Sequence, residues 1–291
     1  MISILIATYQ WDTEPLVTAL VNEISEKNIL AEIICMDDAS GFVQNDKFLT
    51  SPFLTYIPLE QNVGRSVIRN KLAKSAKYPL LLFLDADSLP KAKNFISGYL
   101  SASEMYDVVC GGTAYYDHPP GKQDELLRWL YGREREQRPA NNRQIFPYHS
   151  FTSNNFLIRK STFELYSFDE EINEYGHEDT LFGIELKRNS VKIGHIDNPV
   201  YHMGLDKGEL FIQKTVQAVK NLAGLYVTGK VSEEVRLIRM FLRLRKWRLL
   251  PLFKLYFKAI ESNLYRNLLG NKPILRNLDM LKLGLFCRFL K

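Results

Sequence analysis

The stretch Leu80-Leu81-Leu82-Phe83-Leu84-Asp85-Ala86-Asp87-Ser88-Leu89-Pro90 limits the folds open to this chain more than any other. An uninterrupted apolar run of this length, closed by turn formers, reads as a strand buried on both faces. Asp85 then ends the strand and Asp87 lies in the turn after it. In open α/β sheets, ligands bind outside the carboxyl ends of the strands, so both acids face a crevice. Mg²⁺ and Mn²⁺ take oxygen ligands and commonly combine one or two carboxylates with substrate phosphates and water. An Asp-x-Asp pair at a strand end suits that chemistry, although the same pair is also common in ordinary turns.

The preceding chain supplies the rest of such a sheet. Ile2 to Ala7 is an apolar run ending at Thr8-Tyr9-Gln10, and Trp11 to Lys27 carries Leu16, Leu20 and Ile24 at helical spacing. Ile29 to Met36 is a second strand, closed by Asp37-Asp38-Ala39-Ser40-Gly41, and Phe53 to Pro58 is a third. A helix opens at Asn62-Val63-Gly64-Arg65-Ser66 and leads into the acidic strand. The order β-α-β-α-β-α-β predicts a Rossmann-like, mostly parallel sheet with right-handed crossovers, flanked by helices. Further on, Lys91 to Leu100 reads as a helix; Asp107 to Cys110, Asn154 to Arg159, Val191 to Ile196 and Val200 to His202 read as strand or extended chain. A helix starts near Gly176-His177-Glu178-Asp179, and from about Asp206 the pattern is helical to the end.

The chain has 291 residues, 46% apolar and 24% charged, enough for one large α/β domain with an appendage. Its net charge of +5 is concentrated late, in Arg236, Arg239, Arg243, Arg245, Lys246, Arg248, Lys254 and Lys258. From Val235 to Ile260 these cations alternate with Leu, Phe, Trp and Tyr in a basic amphipathic pattern interrupted near Pro251. Such a segment can lie on an anionic membrane interface, or pack its apolar side on the protein. No recognised nucleic-acid-binding motif accompanies the charge, so no nucleic-acid partner is expected. Cys35, Cys110 and Cys287 are widely spaced, and the first two sit in apolar runs, as thiols of a reducing compartment do. With no secretory signal pattern and no apolar run of about 18 residues, the expected location is the cytoplasm, at most peripherally on the inner face of the cell membrane.

Several spaced motifs together resemble the family 2 glycosyltransferases, inverting enzymes with the GT-A fold. Ser3-Ile4-Leu5-Ile6-Ala7-Thr8-Tyr9 is similar to the first strand and loop of that family, and Met36-Asp37-Asp38-Ala39-Ser40 to the second. Asn62-Val63-Gly64-Arg65-Ser66-Val67-Ile68-Arg69-Asn70 resembles its Asn-x-Gly and Ala-Arg-Asn helix start. Phe83-Leu84-Asp85-Ala86-Asp87 resembles its Asp-x-Asp, Gly176-His177-Glu178-Asp179 its Glu-Asp motif, and Tyr201-His202 a late metal-binding His. The resemblance covers residues 1 to 205. It implies a GT-A catalytic domain there, with a nucleotide-binding half over 1–112 and an acceptor-side half over 113–205, followed by a helical basic region over 206–291.

By the same resemblance, Ala7, Tyr9, Asp38, Asn62, Arg65, Arg69, Asp85, Ala86 and Asp87 meet the nucleotide-sugar, and Asn154 or Asn155 lies beneath the transferred sugar. Asp87 and His202 hold Mn²⁺ or Mg²⁺, with Asp85 on the ribose or a metal-bound water. Asp179 acts as general base beside Glu178. The expected donor is a nucleotide-sugar, a UDP-sugar in preference only because Asp38 can accept the imide proton of uracil, with GDP- and dTDP-sugars as the alternatives. The acceptor is a glycan or lipid-linked saccharide. Plainer roles stand beside these: helix N-termini favour acids such as Glu178 and Asp179, Asp38 can cap a turn, and a lone His is usually a core residue. Ala7 stands where many members have Pro, and His177 where many have Trp or Gly. A nucleotidyltransferase would also place acids at strand ends, but it needs a basic Gly-rich loop after the first strand, which Thr8-Tyr9-Gln10-Trp11 is not. A noncatalytic nucleotide- or sugar-binding scaffold at the membrane is the other alternative.

Overall fold

The computed structural model describes residues 1–172 and 176–290. In chain order the elements begin β1 (Ile2–Thr8), α1 (Glu14–Lys27), β2 (Ala31–Asp37), the single turn α2 (Asp46–Leu49), β3 (Leu54–Pro58), α3 (Arg65–Ser75) and β4 (Leu80–Asp85). There follow β5 (Ser88–Pro90), α4 (Phe95–Ala102), β6 (Val108–Cys110), β7 (Thr113–Ala114), α5 (Leu126–Tyr131), α6 (Ala140–Gln144), β8 (Asn155–Arg159) and α7 (Lys160–Leu165). The last are α8 (Glu178–Arg188), β9 (Ile193–His195), β10 (Val200–His202), α9 (Gly208–Val227), α10 (Arg236–Lys246), α11 (Leu250–Leu268) and α12 (Leu275–Phe289).

These elements form two compact units. Among the described residues, one gathers Met1–Tyr115, residues 136–172 and Glu178–Gly204, and the other Tyr116–Arg135, residues 176–177 and residues 205–290. The stretch Tyr116–Arg135, read from the sequence as part of the first domain, therefore belongs with the C-terminal helices.

The first unit is built on a seven-stranded sheet in the order β3-β2-β1-β4-β8-β6-β9. β3, β2, β1 and β4 run parallel, whereas β8 is antiparallel to both β4 and β6. The apolar runs follow from the two-sided burial of this sheet. Ile4, Ile6, Leu82 and Leu84 pack with α1 and α4 on one face. Leu5, Leu81 and Phe83 pack on the other face with Ile68 and Leu72 of α3 and with Phe156, Phe163, Phe168 and Phe182. Side chains alternate across a strand, so a strand sandwiched between helix layers is predominantly apolar on both faces. Burying each of these large apolar side chains contributes about 1.5–3 kcal/mol, which makes β4 the centre of the unit.

α1 starts three residues later than its periodicity predicts. The Asp12 carboxylate accepts the Glu14 N–H at 3.0 Å, and Pro15 occupies the first turn, where its missing N–H costs nothing. Similarly, the helix expected from Lys91 begins only at Phe95, because Ser88–Pro90 is drawn into a second, three-stranded sheet, β5-β10-β7.

The second unit is helical. Pro251 stands in the first turn of α11 and separates it from α10. The apolar stripe of α10 is satisfied within this unit: Ile238 and Phe241 are buried, and the Phe241 ring meets those of Tyr226 and Phe286 at centroid distances of 6.0 and 5.4 Å. No helix among the described residues is long and apolar enough to cross a membrane. The three cysteines are free and buried.

Candidate active site

The parallel strands end together. Ala7 lies opposite Asp85, and Thr8 opposite Asp37, in the ladders flanking β1. Just beyond β2, the Asp38 carboxylate accepts N–H bonds from Val63 at 2.7 Å and Gly64 at 3.0 Å, while the Asn62 amide donates to the Asp38 carbonyl at 3.1 Å. Asp38 thus tethers the start of α3, the capping role of a loop acid. Gly64, at φ 81°, supplies a backbone conformation that side chains disfavour. Tyr9 leaves its ring largely exposed at the end of β1.

From that tether α3 presents Arg65 and Arg69 on one face, four residues apart. Arg69 is buried and turned inward, donating to Asp85 at 2.7 Å, with its other terminal nitrogen 3.7 Å from Glu178. Arg65, more exposed, reaches Glu178 at 3.6 Å. Arg69 therefore does not lie open to a base or diphosphate as the sequence led us to expect. It links the first acid of Asp-x-Asp to the Glu-Asp helix, which pairs charges that would be costly to bury alone. Its Nη1 is buried without a hydrogen-bond partner, as are Ser66 Oγ, Ser88 Oγ and Asp37 Oδ1. All four are near strand ends or the start of α3.

Asp87 and His202 meet because β5 and β10 pair antiparallel with His202 opposite Ser88. The Met203 N–H donates to the Asp87 carbonyl at 2.8 Å, and His202 Nδ1 lies 3.3 Å from Asp87 Oδ2. A Cβ at Gly204 would stand 2.5 Å from that same oxygen, so the backbone passes against the carboxylate and any larger residue there would push it aside. The Tyr115 ring meets the imidazole edge-on at 5.7 Å. One carboxylate and one imidazole, both partly open, form a donor set that fits Mn²⁺ or Mg²⁺ if the remaining positions are filled from outside. Among the described residues no group of three or more His, Cys, Asp and Glu side chains could hold a metal. The chain offers a partial shell of the kind completed by phosphate and water.

Glu178 and Asp179 open α8, immediately after His177, whose φ is 74°. Glu178 is buried, and Asp179 accepts the Thr180 N–H at 2.6 Å. Burial, and then the neighbouring Glu178 charge, push the Asp179 carboxyl up to about 6. A carboxylate so tuned is suited to take a proton near neutral pH.

Asn155 is a correction. It is 0% exposed, and its amide donates to the Gly112 and Asn198 carbonyls while accepting the Tyr99 hydroxyl. Fixed in the core by β4–β8 pairing, it is not available to a sugar. Asn154 beside it is only partly buried and donates to the Thr113 hydroxyl at 2.9 Å.

Residues that belong to no recognised motif also shape the space around Asp87. A crevice of about 280 Å³ is lined by Gln10, Trp11, Ala86, Asp87 and Met203. The position of Gln10 and Trp11 after β1 was a usable signal; Met203 follows only from the β10 register. A second recess of about 520 Å³ opens between the ends of β2 and β3, beside Asp37, Phe42 and Tyr56.

The chain is similar to solved glycosyltransferases. Crystal structures of S. aureus TarS 1-349 superpose with TM-scores of 0.49 for one structure and 0.48 for that in complex with UDP-GlcNAc. They are 19% and 20% identical and cover 76% and 74% of this chain. This chain spans 64% of their length, less than two thirds. The mannosyltransferase PcManGT from Pyrobaculum calidifontis, in complex with GDP-Man and Mn²⁺, has a TM-score of 0.56 at 14% identity, covering 100% of this chain and 86% of its own. No curated protein matches the chain. The profile described as Glycosyl transferase family 2 matches residues 3–166, which takes in β1 through β8 and with them the Asp-x-Asp strand. With the acid-bearing strand ends arranged on a GT-A sheet and the profile covering more than half its length, this chain belongs to glycosyl transferase family 2.

Proposed function

We propose that this glycosyltransferase moves a sugar from a UDP-sugar to a glycan or lipid-linked acceptor, with inversion and with a divalent cation. The observation that carries this reading is the 3.3 Å approach of His202 to Asp87 beside the crevice after β4. A divalent cation held by Asp87 and His202 supplies positive charge against the diphosphate leaving group. Asp85, fixed by Arg69, is placed for the ribose or a metal-bound water. Asp179 accepts the proton of the acceptor hydroxyl as it attacks the face of the sugar opposite the leaving group, which gives inversion. Glu178, paired with Arg65 and Arg69, holds the start of α8 in place. Each Asp38 oxygen already accepts one backbone N–H and can accept a second bond, from the imide of uracil; Tyr9 and the Ala7 backbone stand at the same strand ends.

The test is transfer from UDP-sugars, with GDP-mannose as the comparison donor, in Mn²⁺, Mg²⁺ and chelator, with the anomeric configuration of the product read by NMR. Metal-dependent transfer giving the inverted anomer supports the reading. Transfer with retention, or at equal rate in chelator, rejects it.

A further inference from the structure

We infer that the outer face of the first turns of α11, together with the α10–α11 link, is a docking surface for a bilayer containing anionic phospholipid. α11 is apolar on two sides. Its inner side packs within the helical unit: Phe257 and Leu264 are buried, Phe257 lies where a Cβ on Gly284 would collide with its ring, and Arg288 stacks over it at 5.2 Å. The opposite side carries Leu252, Leu255 and Tyr256, at the i, i+3, i+4 spacing of a single helix face, exposed by 66%, 68% and 51%. Trp247, in the link before it, is 65% exposed. A helix normally hides its apolar residues on one stripe, so a second, exposed stripe calls for a partner.

The charge around it identifies that partner. Arg245, Lys246, Arg248, Lys254 and Lys258 are all exposed, and residues 235–260 hold eight cations and no carboxylate. A protein partner of basic surface would be repelled, and a second copy would bring the same cations. Anionic headgroups over an apolar interior match both features, with Trp and Tyr at the boundary where their amphipathic rings settle. α10 itself is not this surface, since Ile238 and Phe241, the centre of its apolar stripe, are already buried. The contact is narrower than the amphipathic stretch from Val235 to Ile260, and it is independent of the sugar-transfer reading.

The experiment is co-sedimentation of the full chain with vesicles of phosphatidylcholine alone or mixed with phosphatidylglycerol, at low and high salt. Binding to the mixed vesicles only, weakened by salt, is expected. Leu252→Glu with Leu255→Glu should lower the vesicle-bound fraction about tenfold, through lost apolar insertion and added repulsion. A second variant, Arg245, Lys246, Arg248, Lys254 and Lys258 each changed to Gln, alters only exposed side chains and should do the same with an unchanged melting point. Equal binding to neutral vesicles, or binding indifferent to both variants, would overturn the inference. So would light scattering that shows a dimer abolished by the leucine substitutions, which would make a second copy the occupant.

Discussion

His202 stands opposite Ser88 in the β5–β10 ladder, and this register brings its Nδ1 to 3.3 Å from Asp87 Oδ2 across 115 positions of sequence. Two short strands thus bring together one carboxylate and one imidazole, the pair proposed above to hold a divalent cation. If these two are the ligands, then with no group of three or more metal-binding side chains among the described residues, cation and nucleotide should each need the other. His202→Ala should weaken Mn²⁺-assisted nucleotide binding about 10- to 100-fold, and Asp87→Ala should abolish metal-dependent transfer. Titration calorimetry with and without Mn²⁺ checks both.

Gly204→Ala probes the same place without touching a ligand. Its Cβ would fall 2.5 Å from Asp87 Oδ2, so the carboxylate must turn away. Transfer should drop at least tenfold and recover partly at high Mn²⁺. Unchanged turnover would mean that Asp87 does not need its present position.

Asp179 separates catalysis from helix stabilisation by sign. Its carboxyl is raised to about 6 by burial and by Glu178, so a base in that position leaves kcat/KM rising with pH through about 6 to a plateau. The folded protein holds this proton more tightly than the unfolded chain. Stability therefore falls as pH rises from about 4 to about 6 and stays at the lower level above that, a loss on the order of 1 kcal/mol after screening of a half-buried group. Asp179→Asn should keep or raise the melting point at pH 7 while cutting turnover by at least 100-fold. A residue serving only the helix dipole would lower the melting point on the same change and spare turnover.

Arg69→Met would leave Glu178 without its buried partner and Asp85 without its anchor. Loss of one partner of a buried pair typically costs about 3–5 kcal/mol; the partial exposure of Asp85 reduces this to about 2–3 kcal/mol. Chemical denaturation measures it. A loss of less than about 0.5 kcal/mol would show the linkage to be inconsequential.

Much of the sheet could be read in the sequence because β1, β2 and β4, the inner strands of its parallel half, are buried on both faces and so are written as apolar runs, as in Ile2 to Ala7 and Leu80 to Leu84. The acids could be located because they fall where those runs stop. The direction of β8 was not legible, since a five-residue apolar strand carries no mark of which way it runs. The inward turn of Asn155 was hidden for a related reason: strand alternation decides which of Asn154 and Asn155 faces the core, and only the β4–β8 register fixes that parity. Arg69 looked like a ligand-facing cation because the sequence does not show that Asp85 and Glu178 flank it. In the same way, α10 displayed its amphipathic pattern openly, but that a neighbouring helix covers the apolar side is a tertiary fact.

The most direct test of the account is the coupling between cation and donor nucleotide, measured as the melting-point shift given by UDP with Mn²⁺, with chelator, and by Mn²⁺ alone. Ligands that bind only the folded protein raise its melting point, and linkage requires the coupling to be reciprocal. The account predicts little shift from Mn²⁺ alone, a small one from UDP in chelator, and a much larger one from both, lost in the Asp87→Ala protein. Equal stabilisation by UDP with and without Mn²⁺, or retention of the joint shift in Asp87→Ala, would contradict it.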